Sequence, residues 1–503
     1  MSLQPLTPPT QASPCSATLA PLLCILALGV MVRVAALGWW GYHQLPTRIW
    51  DENDYRQLAV SIAEHGTFAF ADGRPTCLRP PLYSAVVAAV YKVCGQEHYL
   101  FAVRALQNLL SLVNVVVVFY LASEAFSRRV GLWAAGLFCF YPSFVLFSNL
   151  LLTETLFTLL LSLVCLAVVR FYRRNTVGYL ALAGFLLGLG ALTRSVLWLA
   201  PPFLALFVLL TWRAGFPRRL LAAGLMAAAF AATIAPWSVR CTRLEQTFVA
   251  IDTMGGRNFM MGNYEYTFLY RSWATIDVGL RHPERGWDNV VRQADPSFDE
   301  MTQGQKDKRA LKYGLDFVKR NPGLTAYRDV IKCLQFWGLE RTILAGAIHP
   351  RSYFGPLPRP VVGVLAALIL GGYVFALFSG IFGILMAPPG DRRLHWFFLL
   401  VIGFIWGIHM VVFAHERYHL PLMPLVLMYA ASAVVHARDL WQRRGRPAFW
   451  LAGALCLLLV AAWGWVDVYA YATRSEEEQS PRQGIETAVL RIGQGPEQTR
   501  GES

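Results

Sequence analysis

Eleven apolar runs, most of them about 17–25 residues long, constrain this chain more than any other feature, because that is the length an α-helix needs to cross a ~30 Å hydrocarbon core. They fall at 18–38, 99–123, 130–148, 152–169, 177–193, 196–212, 219–237, 360–386, 394–412, 420–436 and 447–470. A soluble chain carries about 25% charged residues. This one carries 15%, with 55% hydrophobic. The expected fold class is an all-α polytopic membrane protein with about 11 transmembrane helices.

The charge pattern orients the spans. The net charge of +14 would suggest nucleic acid in a soluble chain. Here the cations sit in short loops: Arg128/Arg129, Arg170/Arg173/Arg174, Arg213/Arg218/Arg219, Arg392/Arg393 and Arg438/Arg443/Arg444/Arg446. All five loops fall on one side if Pro80–Cys94, an apolar stretch of only ~15 residues, does not cross. If it crossed, the first loop and the later ones would disagree. The positive-inside rule therefore makes those loops cytoplasmic, no nucleic-acid partner is expected, and Pro80–Cys94 is expected as an interfacial helix.

The domain organisation follows. Residues 1–17 form an uncharged cytoplasmic tail, and the run behind it reads as a retained span rather than a cleaved signal. Residues 18–237 form an N-terminal transmembrane module whose outer loop, 39–98, holds the densest polar chemistry. Residues 238–359 form an extracytoplasmic insertion, 360–470 the C-terminal spans, and 471–503 a polar outer tail.

The nine cysteines include no Cys-x-x-Cys. Cys24, Cys139, Cys165 and Cys456 lie in apolar runs and read as small hydrophobes. Cys77, Cys94, Cys241 and Cys333 lie outside them, where disulfides are possible in an oxidising compartment, with no pairing fixed by spacing. Zinc-ligand spacing, a Walker loop and a dinucleotide fingerprint are all missing.

The outer ends of the spans collect ionisable groups. Trp50-Asp51-Glu52-Asn53-Asp54-Tyr55, with apolar residues following at 58, 59, 62 and 63, predicts an amphipathic helix with Asp51 at its start. Asp51 and Glu52 either cap that helix or do chemistry. Arg79 precedes Pro80-Pro81, which stiffens the chain and opens the next helix. Its planar fork suits a phosphate, and the alternative is an Arg reaching to lipid headgroups. Glu154 lies at membrane depth at the outer end of a span, a functional hypothesis by default. Arg194 and Arg417 occupy similar ends and break the positive-inside trend. Carboxylates that can take a proton and cations that can stabilise a departing phosphate suit transfer from a lipid-linked phosphate. His43, His65, His409, His415 and His419 lie near the same face but are scattered.

These residues fall into an ordered set of motifs: Asp51-x-x-x-Tyr55-x-x-Leu58-Ala59, Gly73-Arg74-Pro75-Thr76-x-x-Arg79-Pro80-Pro81-Leu82-Tyr83, Thr153-Glu154-Thr155-Leu156-Phe157 and Leu192-Thr193-Arg194. Ala235-Pro236-Trp237-Ser238-Val239-Arg240, Gly262-Asn263, Asn321-Pro322-Gly323 and Arg417-Tyr418-x-Leu420-Pro421-x-x-Pro424 complete it. Through most of its length the chain resembles the GT-C superfold of membrane glycosyltransferases that use polyprenyl-phosphate sugars. Protein O-mannosyltransferases, lipid A aminoarabinose transferases and the bacterial glycosyltransferase family 39 branch belong to that group. The resemblance implies an inverting transferase that moves a sugar from an undecaprenyl or dolichyl phosphate to an acceptor hydroxyl on a glycan, lipid or protein. It implies Asp51 as the catalytic acidic residue, with Glu52 beside it, and Glu154 at the second acidic position. Arg79, Arg194 and Arg417 are expected at the donor phosphate, and Tyr55, Tyr83 and Tyr418 as substrate-positioning residues. Aminoarabinose transferases carry Glu-Lys-Pro-Pro where this chain has Leu78-Arg79-Pro80-Pro81, so a shared metal contact is missing and a divalent metal stays an open possibility. The expected location is a bacterial inner membrane with the site facing the periplasm. The competing classes are a polytopic transporter and a non-catalytic cell-envelope protein. A transporter would need broken or polar helices near mid-membrane, whereas the polar residues here gather at one face.

Overall fold

The computed structural model describes residues 16–40, 50–270, 272–342, 344–345 and 357–472. His43, most of the N-terminal tail and the polar tail after residue 472 lie outside them. Among the described residues there is no β-strand beyond one isolated bridge between Ala69 and Pro75.

The N-terminal half runs α1 (Ser16–Trp40), α2 (Trp50–His65), α3 (Pro81–Ala125), α4 (Arg128–Cys139), α5 (Pro142–Phe147), α6 (Glu154–Arg174), α7 (Gly178–Ala191), α8 (Ala200–Thr211) and α9 (Phe216–Glu245). Short helices follow: α10 (Gly255–Met261), α11 (Val278–Arg281), α12 (Trp287–Ala294), α13 (Gln303–Arg320) and α14 (Pro322–Phe336). The C-terminal half has α15 (Arg359–Met386), α16 (Arg392–Val411), α17 (Met423–Val435), α18 (Ala437–Gln442) and α19 (Pro447–Ala472). Among the described residues, eight helical segments are long and apolar enough to cross a membrane by themselves. The other expected crossings are shorter or broken. α7 and α8 fall below that length, and the run at 130–148 is split into α4 and α5 by Pro142. The chain is an all-α, multi-pass integral membrane protein.

Pro81–Ala125 is one helix bent at Gly95, whose φ of 73° and ψ of 170° only glycine adopts without strain. The first arm leaves the bundle and packs on α2 through Tyr83, Val87, Ala88 and Tyr91 against Tyr55 and Ala59. The proposal that this arm lies on the membrane surface rests on that bend.

Large apolar side chains such as Leu23, Met31, Leu206, Leu221, Leu368 and Leu457 stand exposed, as lipid-facing residues do. Arg33 is the exception on α1. It is 1% exposed, and its guanidinium donates to the Cys139 carbonyl (3.1 Å), the Ser111 hydroxyl (2.9 Å) and the Gly29 carbonyl (3.3 Å). One cation thereby ties α1 to α3 and α4.

Small residues set the closest helix approaches, since lipid supplies no hydrophobic drive between helices. A Cβ on Gly184 would lie 2.1 Å from the Met226 carbonyl oxygen, and one on Gly188 would lie 2.6 Å from Thr233. These two glycines, one turn apart on α7, let α9 pack backbone to backbone. Gly383 does the same for α15 against Tyr429 of α17, at 2.0 Å. Gly184→Val is expected to force α7 off α9 and destabilise the protein by about 1–3 kcal/mol. Gly224→Ala, whose added carbon meets nothing within 4 Å, should leave stability unchanged. Thermal unfolding of the two variants in detergent, followed by intrinsic fluorescence, checks the pair.

Candidate active site

The polar residues at one end of the bundle converge although they come from distant parts of the chain. Asp51 sits in the first turn of α2. Arg79 sits just before the Pro80-Pro81 start of α3, whose first free amide, Leu82 N–H, donates to Leu192 O at 2.9 Å. That bond fixes the start of α3 beside Thr193-Arg194. Glu154 opens α6, and Arg417 lies in the 3₁₀ turn Glu416–Leu422 that leads into α17.

Asp51 is clamped from two sides. Arg79 Nη2 donates to its Oδ1 at 2.7 Å, and Arg417 Nη2 donates to its Oδ2 at 2.6 Å. Arg79 also reaches Asp54, one turn further along α2, through Nε (3.0 Å) and Nη2 (2.8 Å). Arg194 Nη1 donates to Glu154 Oε1 at 3.0 Å, and Arg417 Nε lies 4.0 Å from the same oxygen. Aromatic faces steady the cations. The Tyr418 ring lies 5.2 Å from the Arg194 guanidinium and 5.4 Å from that of Arg417, and the Tyr55 ring lies 5.8 Å from Arg79.

Three carboxyls in one turn of α2 are driven apart by their surroundings. Burial works to raise Asp51, but the charges of Arg417 and Arg79 outweigh it and hold the carboxyl well below the usual range. Burial raises Glu52 and Asp54 instead, against weaker opposing cations. Glu52 turns away from the clamp, and its Oε1 accepts from Leu151 N–H at 2.7 Å. Gln107 of α3 donates to Leu150 O (2.8 Å) and Ser148 O (3.1 Å), and accepts from the Tyr83 hydroxyl at 2.8 Å. Asn108 binds Ser148 and Asn149. Glu52, Gln107 and Asn108 thus lock the 148–153 loop that sets Glu154. Tyr83 is 2% exposed and meets Tyr55 edge to face at 5.1 Å, so it braces Tyr55 from within the packed core.

The sequence motifs bring together Asp51, Arg79, Glu154, Arg194, Arg417, Tyr55 and Tyr418. They leave Glu52 and Tyr83 in supporting positions. Sequence reasoning missed Asp54, although its i+3 spacing puts it on the same helix face as Asp51. It also missed Gln107-Asn108, a polar pair inside an apolar run. Asp252 had no sequence signal. Its carboxylate accepts from Met254 N at 3.3 Å and from the Ser195 hydroxyl beside Arg194, and burial pushes it up to about 6.

The histidines do not gather. His65 is exposed at the end of α2. His409 bonds Ile405 O (2.8 Å). His419 stacks between Trp337 and Tyr373, with Nε2 3.0 Å from Glu340. His415 accepts from Arg417 N–H (3.1 Å), and burial pushes it down to about 4, so it is neutral at neutral pH. Among the described residues no three His, Cys, Asp or Glu side chains are grouped to hold a metal. The cluster does not fit a divalent cation: both Asp51 oxygens and one Glu154 oxygen already accept from guanidiniums. It fits an anion. Two buried atoms at its centre lack a hydrogen-bond partner, the acceptor Glu154 Oε2 and the donor Arg417 Nε.

Comparison with known proteins agrees with this architecture. Residues 78–239, which include Arg79, Tyr83, Glu154 and Arg194, match the family described as dolichyl-phosphate-mannose-protein mannosyltransferase. No curated protein matches the chain. The archaeal oligosaccharyltransferase AglB of Archaeoglobus fulgidus, solved with an inhibitory peptide and a dolichol-phosphate, superposes with a TM-score of 0.50 at 14% identity over 93% of this chain. The same oligosaccharyltransferase tethered to an acceptor peptide gives 0.50 at 13% identity over 95% of this chain and 59% of its own. ArnT of Cupriavidus metallidurans bound to undecaprenyl phosphate gives 0.47 at 14% identity over 92% of this chain and 73% of its own. The chain spans only 56% of the length of AglB. It shares the GT-C fold of these membrane enzymes, and the part that carries Arg79, Glu154 and Arg194 is similar in sequence to the protein mannosyltransferases.

Proposed function

We propose that the protein is a membrane glycosyltransferase that moves a sugar from a polyprenyl phosphate to an acceptor hydroxyl, with inversion at the anomeric carbon. The observation that carries this reading is the Asp51 carboxylate held between Arg79 and Arg417, with Arg194 and Glu154 alongside. Three guanidiniums grouped in one partly exposed cluster would bind a phosphodiester, whose oxygens match their planar forks. A GT-C relative binds dolichol-phosphate, which supports a polyprenyl donor.

The resting clamp and the reaction compete for the same groups. Asp51, paired with two cations, is a poor base. A donor phosphate entering the cluster takes Arg79 and Arg417 as partners and releases Asp51. Its proton affinity then rises, because the opposite charges that lowered it are shared with the phosphate. Asp51 accepts the acceptor hydroxyl proton as that oxygen bonds to the anomeric carbon. The bond from that carbon to the phosphate oxygen breaks, and its electron pair leaves with the phosphate. The polyprenyl phosphate departs with one more negative charge, which Arg79, Arg194 and Arg417 stabilise. Glu154 Oε2, the unpartnered acceptor, orients the incoming hydroxyl. Tyr55 and Tyr418 hold the cations in place. The chemistry asks for no divalent ion at these residues. The location proposed is a bacterial inner membrane with the cluster on the face opposite the Arg-rich loops, a soluble segment around 238–359 on the same face, and a cell-envelope glycan, lipid or protein as acceptor.

Three expectations test this reading. Asp51→Asn should lower transfer by about 10²–10⁴-fold. Mass spectrometry of envelope glycans checks it in a deletion strain complemented with wild type or variant; full restoration by the variant would refute the base role. Arg79→Lys keeps the charge but cannot hold Asp54 and a phosphate oxygen together. The donor KM should rise about tenfold or more, the loss of a charge-assisted hydrogen bond. A reporter fused within residues 213–219 should read as cytoplasmic; an external signal inverts the orientation.

A further inference from the structure

The motif Trp237-Ser238-Val239-Arg240 near the end of α9 plays no part in the chemistry above, yet it grips the segment that carries Arg79. Arg240 Nη1 donates to Thr76 O at 3.1 Å and lies 4.7 Å from the Trp237 ring. Trp237 Nε1 donates to Ile251 O (2.7 Å), Ser238 Oγ to Val249 O (2.8 Å), and Thr253 N–H to Cys77 O (3.0 Å). The three segments meet in a small apolar cluster whose centre is sulfur: Cys77 and Cys241 are both wholly buried, packed with Val249 and flanked by Trp237 and Leu244. Both thiols are free. The Arg240 guanidinium lies beside both, 3.4 Å from Cys77 Sγ and 3.9 Å from Cys241 Sγ.

We propose that Cys77 and Cys241 form a structural disulfide in the mature protein, stapling the segment that bears Arg79 to the end of α9. The other two cysteines that sequence left available are placed differently. Cys94 is exposed beside the Gly95 bend, and the Cys333 carbonyl accepts from Trp406 Nε1 on α16. The oxidant is a disulfide-exchanging dithiol system of an oxidising compartment. One cysteine thiolate attacks a sulfur of the oxidant disulfide and forms a mixed disulfide, releasing one oxidant thiol. The second cysteine attacks the mixed disulfide and releases the other. Two protein thiols become one disulfide, and one oxidant disulfide becomes two thiols. Exchange takes place before the cluster closes; afterwards burial shields the bond from reductant. The bond links residues far apart in sequence, the arrangement in which a cross-link constrains the unfolded chain most. It also fixes Arg79 two residues from an anchored sulfur, while α2 stays free to release Asp51. The proposal rests on the orientation above, because it needs these loops on an oxidising face. It does not depend on the donor, so its failure would leave the role of Asp51 untouched.

The test is thiol counting on full-length protein from its native membrane. Cells are quenched with N-ethylmaleimide before lysis, and the protein is denatured and counted by mass. The expected result is two fewer alkylated thiols than the nine cysteines of the chain, with all nine reacting only when reduction precedes alkylation. Proteolysis without reductant should yield one linked peptide pair holding Cys77 and Cys241. The Cys77→Ser/Cys241→Ser double variant should give the same count with and without reductant. Nine alkylated thiols without reduction, or a linked pair involving Cys94 or Cys333, overturns the proposal.

Discussion

An acid held between two arginines organises this molecule. Asp51 and Arg417 are 366 residues apart, and their ion pair closes the start of α2 onto the turn entering α17. A carboxylate so placed loses hydration, and only close opposite charge compensates that loss. Arg79 and Arg417 supply two such charges, with Arg194 a third nearby. The cost of exposing any one of them unpaired explains why α2, the start of α3, the 148–153 loop and the 416–422 turn hold a single geometry. A group with this much opposing charge is stable at rest and inert as a base. On the proposed reading, an anion that shares the cations would switch such a site on, which is why a lipid phosphate would suit it better than a neutral ligand.

The supporting structure shows how an apolar bundle positions polar groups. Helix-terminal carboxylates and arginines at the ends of spans remain within reach of water, while their backbones are fixed by hydrogen bonds from deeper residues. Glu52, Gln107 and Asn108 do this for the loop before Glu154. Tyr83 couples that network to Tyr55, so the first arm of α3 and the Glu154 loop share one set of contacts. On the far side, Glu340 receives hydrogen bonds from Tyr141 and Ser143 and meets His419, joining α5, the end of α14 and the turn after Arg417. These contacts set the distances in the clamp without touching it.

The spans were legible because hydropathy and length act locally: a run that cannot be hydrated must enter lipid wherever the rest of the chain goes. The weak spot was 130–148, where Pro142 splits a hydrophobic run into two short helices, a break that hydropathy does not register. The site was legible only as residue types at the ends of spans. Arg194 and Arg417 stood out because they violate the charge bias, and the bias is itself a local rule. Pairings were hidden. Nothing in sequence says that Arg79 takes Asp54 along with Asp51, that Glu52 faces a backbone amide, or that Asp252 lies beside Ser195. Those follow from the bend at Gly95 and from how α9 returns its loop onto residues 76–77, which are properties of the whole fold.

The two unpartnered atoms at the centre of the cluster narrow what the cavity can accept. Glu154 Oε2 is a buried acceptor and Arg417 Nε a buried donor, the latter 4.0 Å from the other Glu154 oxygen, Oε1. A ligand that completes the site must offer a donor to the first and an acceptor to the second, and leaving either unmet carries a desolvation penalty of about 1–3 kcal/mol. A phosphate alone satisfies the arginine and leaves the carboxylate stranded. A hydroxyl alone satisfies the carboxylate and leaves the arginines bound to Asp51. On the proposed reading, a phosphate and a hydroxyl present together meet every group, so the site would discriminate against either substrate bound singly and favour the ternary arrangement that transfer requires.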